Sequence, residues 1–150
     1  MELDVSSTAR DALQDLLDVS PQVEAALVIT RDGTLLADSL EGRTAVAQRL
    51  AKTAVRLLEE AERARSELGR EPVTQCEVAT GDGHVFVVSD EARVVLAVTG
   101  SEPTVGLVFY DLKTALRAVR EAATAQGSPS TNGNGNGKAP LAPNPAGEKN

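Results

Sequence analysis

From Val23 to Ser39 the chain reads as two apolar runs, Val23–Arg31 and Thr34–Asp38, on either side of an Asp-Gly step at Asp32-Gly33. Asp-Gly between apolar runs predicts a hairpin, because a tight primed turn needs positive φ, which Gly takes without steric penalty and Asp tolerates. Ala25–Ile29 is apolar without alternation, so the first strand is expected to be central and covered on both faces. Upstream, Ser6-Ser7-Thr8 is the expected cap of a helix whose apolar stripe is Ala9, Leu13, Leu16 and Leu17. Ser20-Pro21 stops it.

Gly42 precedes a long helical pattern, Thr44 to Leu68, which Gly69 caps. At 100° per residue, Val46, Ala47, Leu50, Ala51, Ala54, Val55, Leu57, Leu58, Ala61, Ala64 and Leu68 spread over roughly half the circumference. A helix lying on one sheet needs a narrower stripe, a little over 100° wide. The extra width asks for a second apolar partner, such as a copy of the same helix, or for a helix sunk deeper in its own domain. Small Ala side chains would let a partner approach closely.

Three more strands follow: Pro72–Thr80, His84–Ser89 and Ala92–Thr99. Gly81-Asp82-Gly83 and Asp90-Glu91 join them, and such short loops predict an antiparallel meander. Val94–Val98 reads as buried on both faces. In the first of the three, Gln75 and Glu77 point one way and Thr74, Cys76 and Val78 the other. That mixed pattern suits an edge strand, and without Lys or an internal Pro the edge is open to pairing with another chain. A last helix, Thr104 to Ala125, carries Val105, Val108, Leu112, Ala115, Leu116, Val119 and Ala122 on one face. Beyond it, SPSTNGNGNGKAPLAPNPAGEKN has no apolar period and is expected to be a disordered tail. The division is thus an α+β domain at 1–126 and a tail at 127–150.

Composition narrows the function. Of 150 residues, 41% are apolar but only 2% aromatic, so the core is aliphatic and few rings are offered for base stacking. The formal charge is −7; the tail is slightly basic, so the acidity sits in the domain, which argues against nucleic acid. Cys76 is the sole cysteine, which suits a reducing cytosol. The acidic N-terminal segment does not look like a signal peptide, and no run approaches the ~20 apolar residues of a spanning helix. The expectation is a cytoplasmic protein that does not insert into membranes.

Catalytic chemistry is sparse. No phosphate-binding G-x-x-x-x-G-K-[ST] loop is present, so the chain is not itself a nucleotide hydrolase of that type. Gly81-Asp82-Gly83 reads as a plain turn. His84, the sole histidine, cannot form a two-histidine metal site within one chain and is expected at the surface. A Cys76–His84 contact across the hairpin is conceivable but lacks an orienting acid. No cofactor is expected, and an enzyme is the least favoured class. Arg49, Lys52 and Arg56 form a basic stripe on the long helix. It is either a solvated face with weak Arg56–Glu60 and Glu59–Arg63 pairs or a docking surface for an acidic partner.

Val23–Gly33 resembles the V-x-x-A-x-x-x-x-x-D-G signature of the roadblock / dynein light chain family. Leu50–Glu67 resembles its Ala/Leu-rich second helix, and Val94–Val98 with Gly106-Leu107-Val108 its last strand and the start of its last helix. The resemblance spans residues 5–125 and rests on the ordered combination, since no single motif is unique. It implies a five-stranded antiparallel sheet between helices, a roadblock/profilin-like α+β fold. It also implies a homodimer with joined sheets and paired second helices, for which Val46, Leu50, Leu57 and Cys76 are the candidate contacts. Bacterial relatives of the MglB type act on small Ras-like GTPases as activating proteins, so the implied partner is such a GTPase, with Arg49, Lys52 and Arg56 as candidate contacts. A dimeric scaffold with no effect on hydrolysis is the alternative, and a small-molecule sensor of PAS or profilin-like shape a more distant one.

Overall fold

The computed structural model describes residues 2–69 and 72–127. The predicted tail, apart from Gly127, lies outside the described residues. In chain order the elements are α1 (Glu2–Val19), β1 (Val23–Thr30), β2 (Leu35–Asp38), α2 (Thr44–Glu67), β3 (Gln75–Ala79), β4 (His84–Ser89), β5 (Arg93–Thr99) and α3 (Val105–Gly127). The strands form one antiparallel sheet in the order β2-β1-β5-β4-β3. The two runs expected to be covered on both faces, β1 and β5, are central and pair through Leu27↔Leu96 and Val28↔Val95. The strand expected at an edge, β3, is an edge.

Alternation along the strands divides the core into two clusters. Ala26, Val28, Phe86, Val88, Val95 and Ala97 face α1 and α3. Leu27, Ile29, Val87, Val94 and Leu96 face α2. The first face is closed by two helices lying side by side, with Phe109 of α3 set edge-on to Phe86 at 5.0 Å between ring centroids. The second is covered by α2 alone.

Three local expectations are corrected. The helix α1 starts at Glu2, so Ser6-Ser7-Thr8 lie inside it rather than capping it. No Gly or Pro precedes them, and Ser or Thr within a helix costs only about 0.5 kcal/mol relative to Ala. The β1–β2 turn is not primed. Among the described residues, Glu102 alone of the non-glycines has positive φ, while Gly33 sits at φ 98°. Thr30 N–H donates to Thr34 O (2.9 Å) and Gly33 N–H to Thr30 O (3.0 Å), which is a three-residue loop with a glycine bulge. Asp32 contributes through its side chain, accepting from the Thr30 and Thr34 hydroxyls and the Thr34 amide. These hydrogen bonds, Thr30's first, hold its carboxyl below the usual aspartate range. Finally, the β3 strand spans Gln75–Ala79 rather than Pro72–Thr80, although the Ser89 amide of β4 still donates to Thr74 O at 3.0 Å. The Val73 amide is taken instead by Glu62 Oε2 of α2 at 2.9 Å.

At the β3–β4 turn a Cβ on Gly83 would stand 2.7 Å from the Thr99 carbonyl oxygen. The close approach of that turn to the end of β5 therefore requires glycine.

Candidate interaction surface

The α2 helix starts after Gly42 (φ 75°) with no side-chain cap. It ends at Leu68, whose N–H bonds Arg65 O, followed by Gly69 at φ 65°, so the predicted glycine stop holds. Within the chain it is buried at only four positions, Ala47, Ala51, Ala54 and Leu58. The small Ala side chains bring its backbone close to the sheet.

The rest of its wide apolar stripe is left part-covered. Val46, Leu50, Val55, Leu57 and Ala61 are half-buried, and Leu68 is 71% exposed. Leu50 and Leu57 pack against the cluster beneath α2, as does half-buried Cys76 of β3, and Val46 lies on the same helix outside that cluster. The candidate contacts Val46, Leu50, Leu57 and Cys76 thus share the α2 side of the molecule. Burial pushes the Cys76 thiol pKa up, so the residue is a packing group rather than a ready thiolate.

Arg49, Lys52 and Arg56 are all exposed on α2, and none of their side chains forms an ion pair or hydrogen bond among the described residues. The ion pairs expected as Arg56–Glu60 and Glu59–Arg63 are replaced by Arg63–Glu60 (2.5 Å) and Arg65–Glu62 (2.8 Å), each at i,i+3. From Arg49 to Arg56 the helix therefore carries cations with no side-chain partner among the described residues, while its last turns pair theirs.

Glu62, not singled out in the sequence, anchors this half of the helix. It accepts from Arg65 and from the Val73 amide. These hydrogen bonds, Arg65's first, hold its carboxyl below the usual glutamate range. Its role has no local signal, because its second partner lies 11 residues away across a loop.

The Cys76–His84 contact does not form. Cys76 faces α2, whereas His84 stacks on Phe86 on the opposite face, with centroids 6.0 Å apart. Nor is His84 a plain surface residue. Its side chain is only 16% exposed and its Nδ1 lies 2.5 Å from Glu77 Oε2. Strand register placed the two side by side, Glu77 opposite Phe86 and Ala79 opposite His84, and that register was not readable from sequence.

No described helix is long and apolar enough to cross a membrane. The described concavities are surface grooves between elements, lined in part by exposed side chains.

The sequence model of the Roadblock/LC7 domain matches residues 10–99. No curated protein matches the chain. Among solved structures, a Roadblock/LC7 domain from Streptomyces avermitilis is similar at 18% identity and a TM-score of 0.68, covering 74% of this chain and 93% of its own. The gliding protein MglB from Thermus thermophilus is similar at 18% identity and a TM-score of 0.69, with 80% and 91% covered. MglB from Myxococcus xanthus aligns at 10% identity and a TM-score of 0.66, with 83% and 91% covered.

Proposed function

The chain belongs to the Roadblock/LC7 domain family, and from that premise we propose that it is a homodimeric, non-catalytic regulator of a small Ras-like GTPase. The observation that carries this reading is the unfinished α2 side. A band of half-buried apolar residues, Val46, Leu50 and Leu57, continues to Cys76 next to an unpaired strand edge. A second copy placed there buries both at once: α2 against α2, and β3 against β3.

Arg49, Lys52 and Arg56 then form the contact surface for the GTPase. Their cations are exposed and unpaired among the described residues. The platform works by binding one nucleotide state better than the other and so shifting the conformational equilibrium of the partner. Acceleration of hydrolysis arises in this scheme from repositioning the GTPase's own switch residues.

The test is the GTP hydrolysis rate of a small GTPase encoded beside this chain, with and without the protein, together with pull-downs in the GDP and GTP-analogue states. Acceleration of about ten-fold, roughly 1.4 kcal/mol off the barrier, with preference for the GTP form identifies an activating protein. Binding without acceleration identifies a scaffold or effector. Binding in neither state rejects the GTPase reading, and unchanged binding after charge reversal at Arg49, Lys52 and Arg56 rejects that surface.

A further inference from the structure

A second charged surface lies across the sheet from most of α2. Lys113, Arg117 and Arg120 recur at i, i+4 and i+7 along α3, a spacing that aligns them on one helix face. They form one wall of a groove of about 870 Å³, whose other lining residues include Val73, Val88 and Leu116. All three cations are exposed, and none of them makes an ion pair or side-chain hydrogen bond among the described residues.

The acids around the same groove are largely committed. Glu62 is held by Arg65 and the Val73 amide. Asp90 Oδ1 closes the β4–β5 turn by accepting from the Ala92 and Arg93 amides, each at 2.9 Å. Glu91 has no such bond among the described residues. Arg31 reaches the groove from the β1–β2 turn, its guanidinium donating to the Asp90 carbonyl at 3.1 Å. Asp90 Oδ2 is buried without a hydrogen-bond partner; with Arg31, Lys113, Arg117 and Arg120 set against Glu62, Asp90 and Glu91, the groove lining is slightly positive on a chain whose net charge is −7.

We propose that this groove between α3 and the β3–β4 end of the sheet is a docking site for an extended acidic peptide segment of a partner protein. Four arguments converge on that occupant. Three unspent cations in a row ask for carboxylates. Along the helix axis, Lys113 to Arg117 is about 6 Å and Arg117 to Arg120 about 4.5 Å. In an extended peptide, residues on one side repeat about every 6.6 Å, so acidic side chains at alternate positions meet successive cations. The intervening residues then turn toward Asp90 and Glu91, where a second acidic row would be repelled, so alternating acidic and uncharged residues fit better than a continuous acidic run. A flat anionic membrane is the poorer match, since the cations border a groove and Glu91 stands on its opposite side. The site is separate from the Arg49–Arg56 stripe and does not depend on the GTPase reading.

The experiment is fluorescence anisotropy of a fluorescein-labelled Glu-Ala-Glu-Ala-Glu-Ala peptide titrated with the full chain. A Gln-Ala-Gln-Ala-Gln-Ala peptide is run alongside, with co-sedimentation on vesicles containing phosphatidylserine. The expected result is saturable binding of the Glu peptide alone, weakened about ten-fold in K113Q/R117Q/R120Q, less in R117Q, and unchanged in R49Q/K52Q/R56Q. Equal thermal midpoints of the variants, whose altered side chains are exposed, show that the fold is intact. The proposal is overturned by no saturable binding, by equal binding of the Gln peptide, or by equal binding to the triple α3 variant. It is also overturned if the α2 triple variant loses the peptide instead, or if only vesicles bind and do so through the α3 cations.

Discussion

The two faces of the sheet are built on opposite plans. On one face two helices and a Phe86–Phe109 edge contact close the core, and eighteen residues form one buried cluster. On the other, a single helix touches the sheet through three alanines and a leucine, and around the buried centre lies a ring of half-buried Leu, Val and Cys. The first face has a short rim of partly buried residues, Leu17, Leu36 and Val105, where the second has a long one. The second has a complete centre and an incomplete rim, which is the arrangement expected of a surface finished by another molecule. Length does not explain the contrast, since α2 and α3 are 24 and 23 residues long. What differs is side-chain size at the contact and the presence of a neighbouring helix.

The sharpest way to break the comparison is to hollow the closed face. Phe86 is fully buried, and Phe86→Ala removes a ring with no room to collapse around it, so a loss of about 3–5 kcal/mol is expected. Urea denaturation at fixed protein concentration measures it. A loss below about 1 kcal/mol would mean that this face is far looser than its packing implies. Next in size is overpacking of the α2 contact. Ala54 is fully buried between helix and sheet. Ala54→Leu pushes the helix outward and is expected to cost about 1–3 kcal/mol. A neutral result would show that α2 can ride higher on the sheet and that its close approach is not required.

Leu57→Asp separates rim from centre. Leu57 is only half-buried, so a single chain should lose about 1 kcal/mol or less in dilute solution, whereas a fully buried leucine loses more. If the rim is covered by a second copy, the same change places a charge in that contact, and light scattering after size exclusion should show the mass fall to that of a monomer. A parent protein that is already monomeric at micromolar concentration removes the dimer from the proposed function altogether.

Much of this fold was legible beforehand, for identifiable reasons. The unbroken apolar runs of β1 and β5 announced central strands, and the mixed β3 announced an edge, because burial on two faces or one leaves a direct mark on local sequence. The excess width of the α2 stripe was also visible, and it is the part of that helix the chain itself does not bury. What escaped depended on register and packing. His84 reads as a surface residue because nothing local reveals that Glu77 of β3 meets it across the hairpin. Lys113, Arg117 and Arg120 carry no signal of their own on the polar side of an amphipathic helix, and their spacing gains meaning only where α3 lies beside the end of β4. Asp32-Gly33 marks the position of the turn but not its type, since both the primed turn and the glycine bulge use Asp-Gly.

The smallest expected effect is also the most selective. The closed face is held by apolar burial, which has no proton to lose, whereas the C-terminal half of α2 is tied to the start of the β3 segment through Glu62. The folded-state pKa of Glu62 is lowered, chiefly by the hydrogen bond from Arg65 and then by the Val73 amide. A lowered folded pKa stabilises the fold at pH above the unfolded value of about 4.3, and that stabilisation is lost as pH falls through the folded value. Acid should therefore loosen the α2 side while leaving the α1–α3 side intact. Glu62→Gln keeps an acceptor but has no charge to neutralise, so its thermal midpoint should fall less steeply than the parent's between about pH 5 and pH 3. Phe86→Ala should shift the whole curve downward without changing its slope. If Glu62→Gln follows the parent curve in parallel, the acid sensitivity lies elsewhere. Asp32, whose carboxyl is lowered by Thr30 and Thr34 in the β1–β2 turn beside α2, is then the next group to replace. If instead the slope flattens as expected, hydrogen exchange at acid pH should quicken in α2 before α3, and the two faces would be shown to come apart in order.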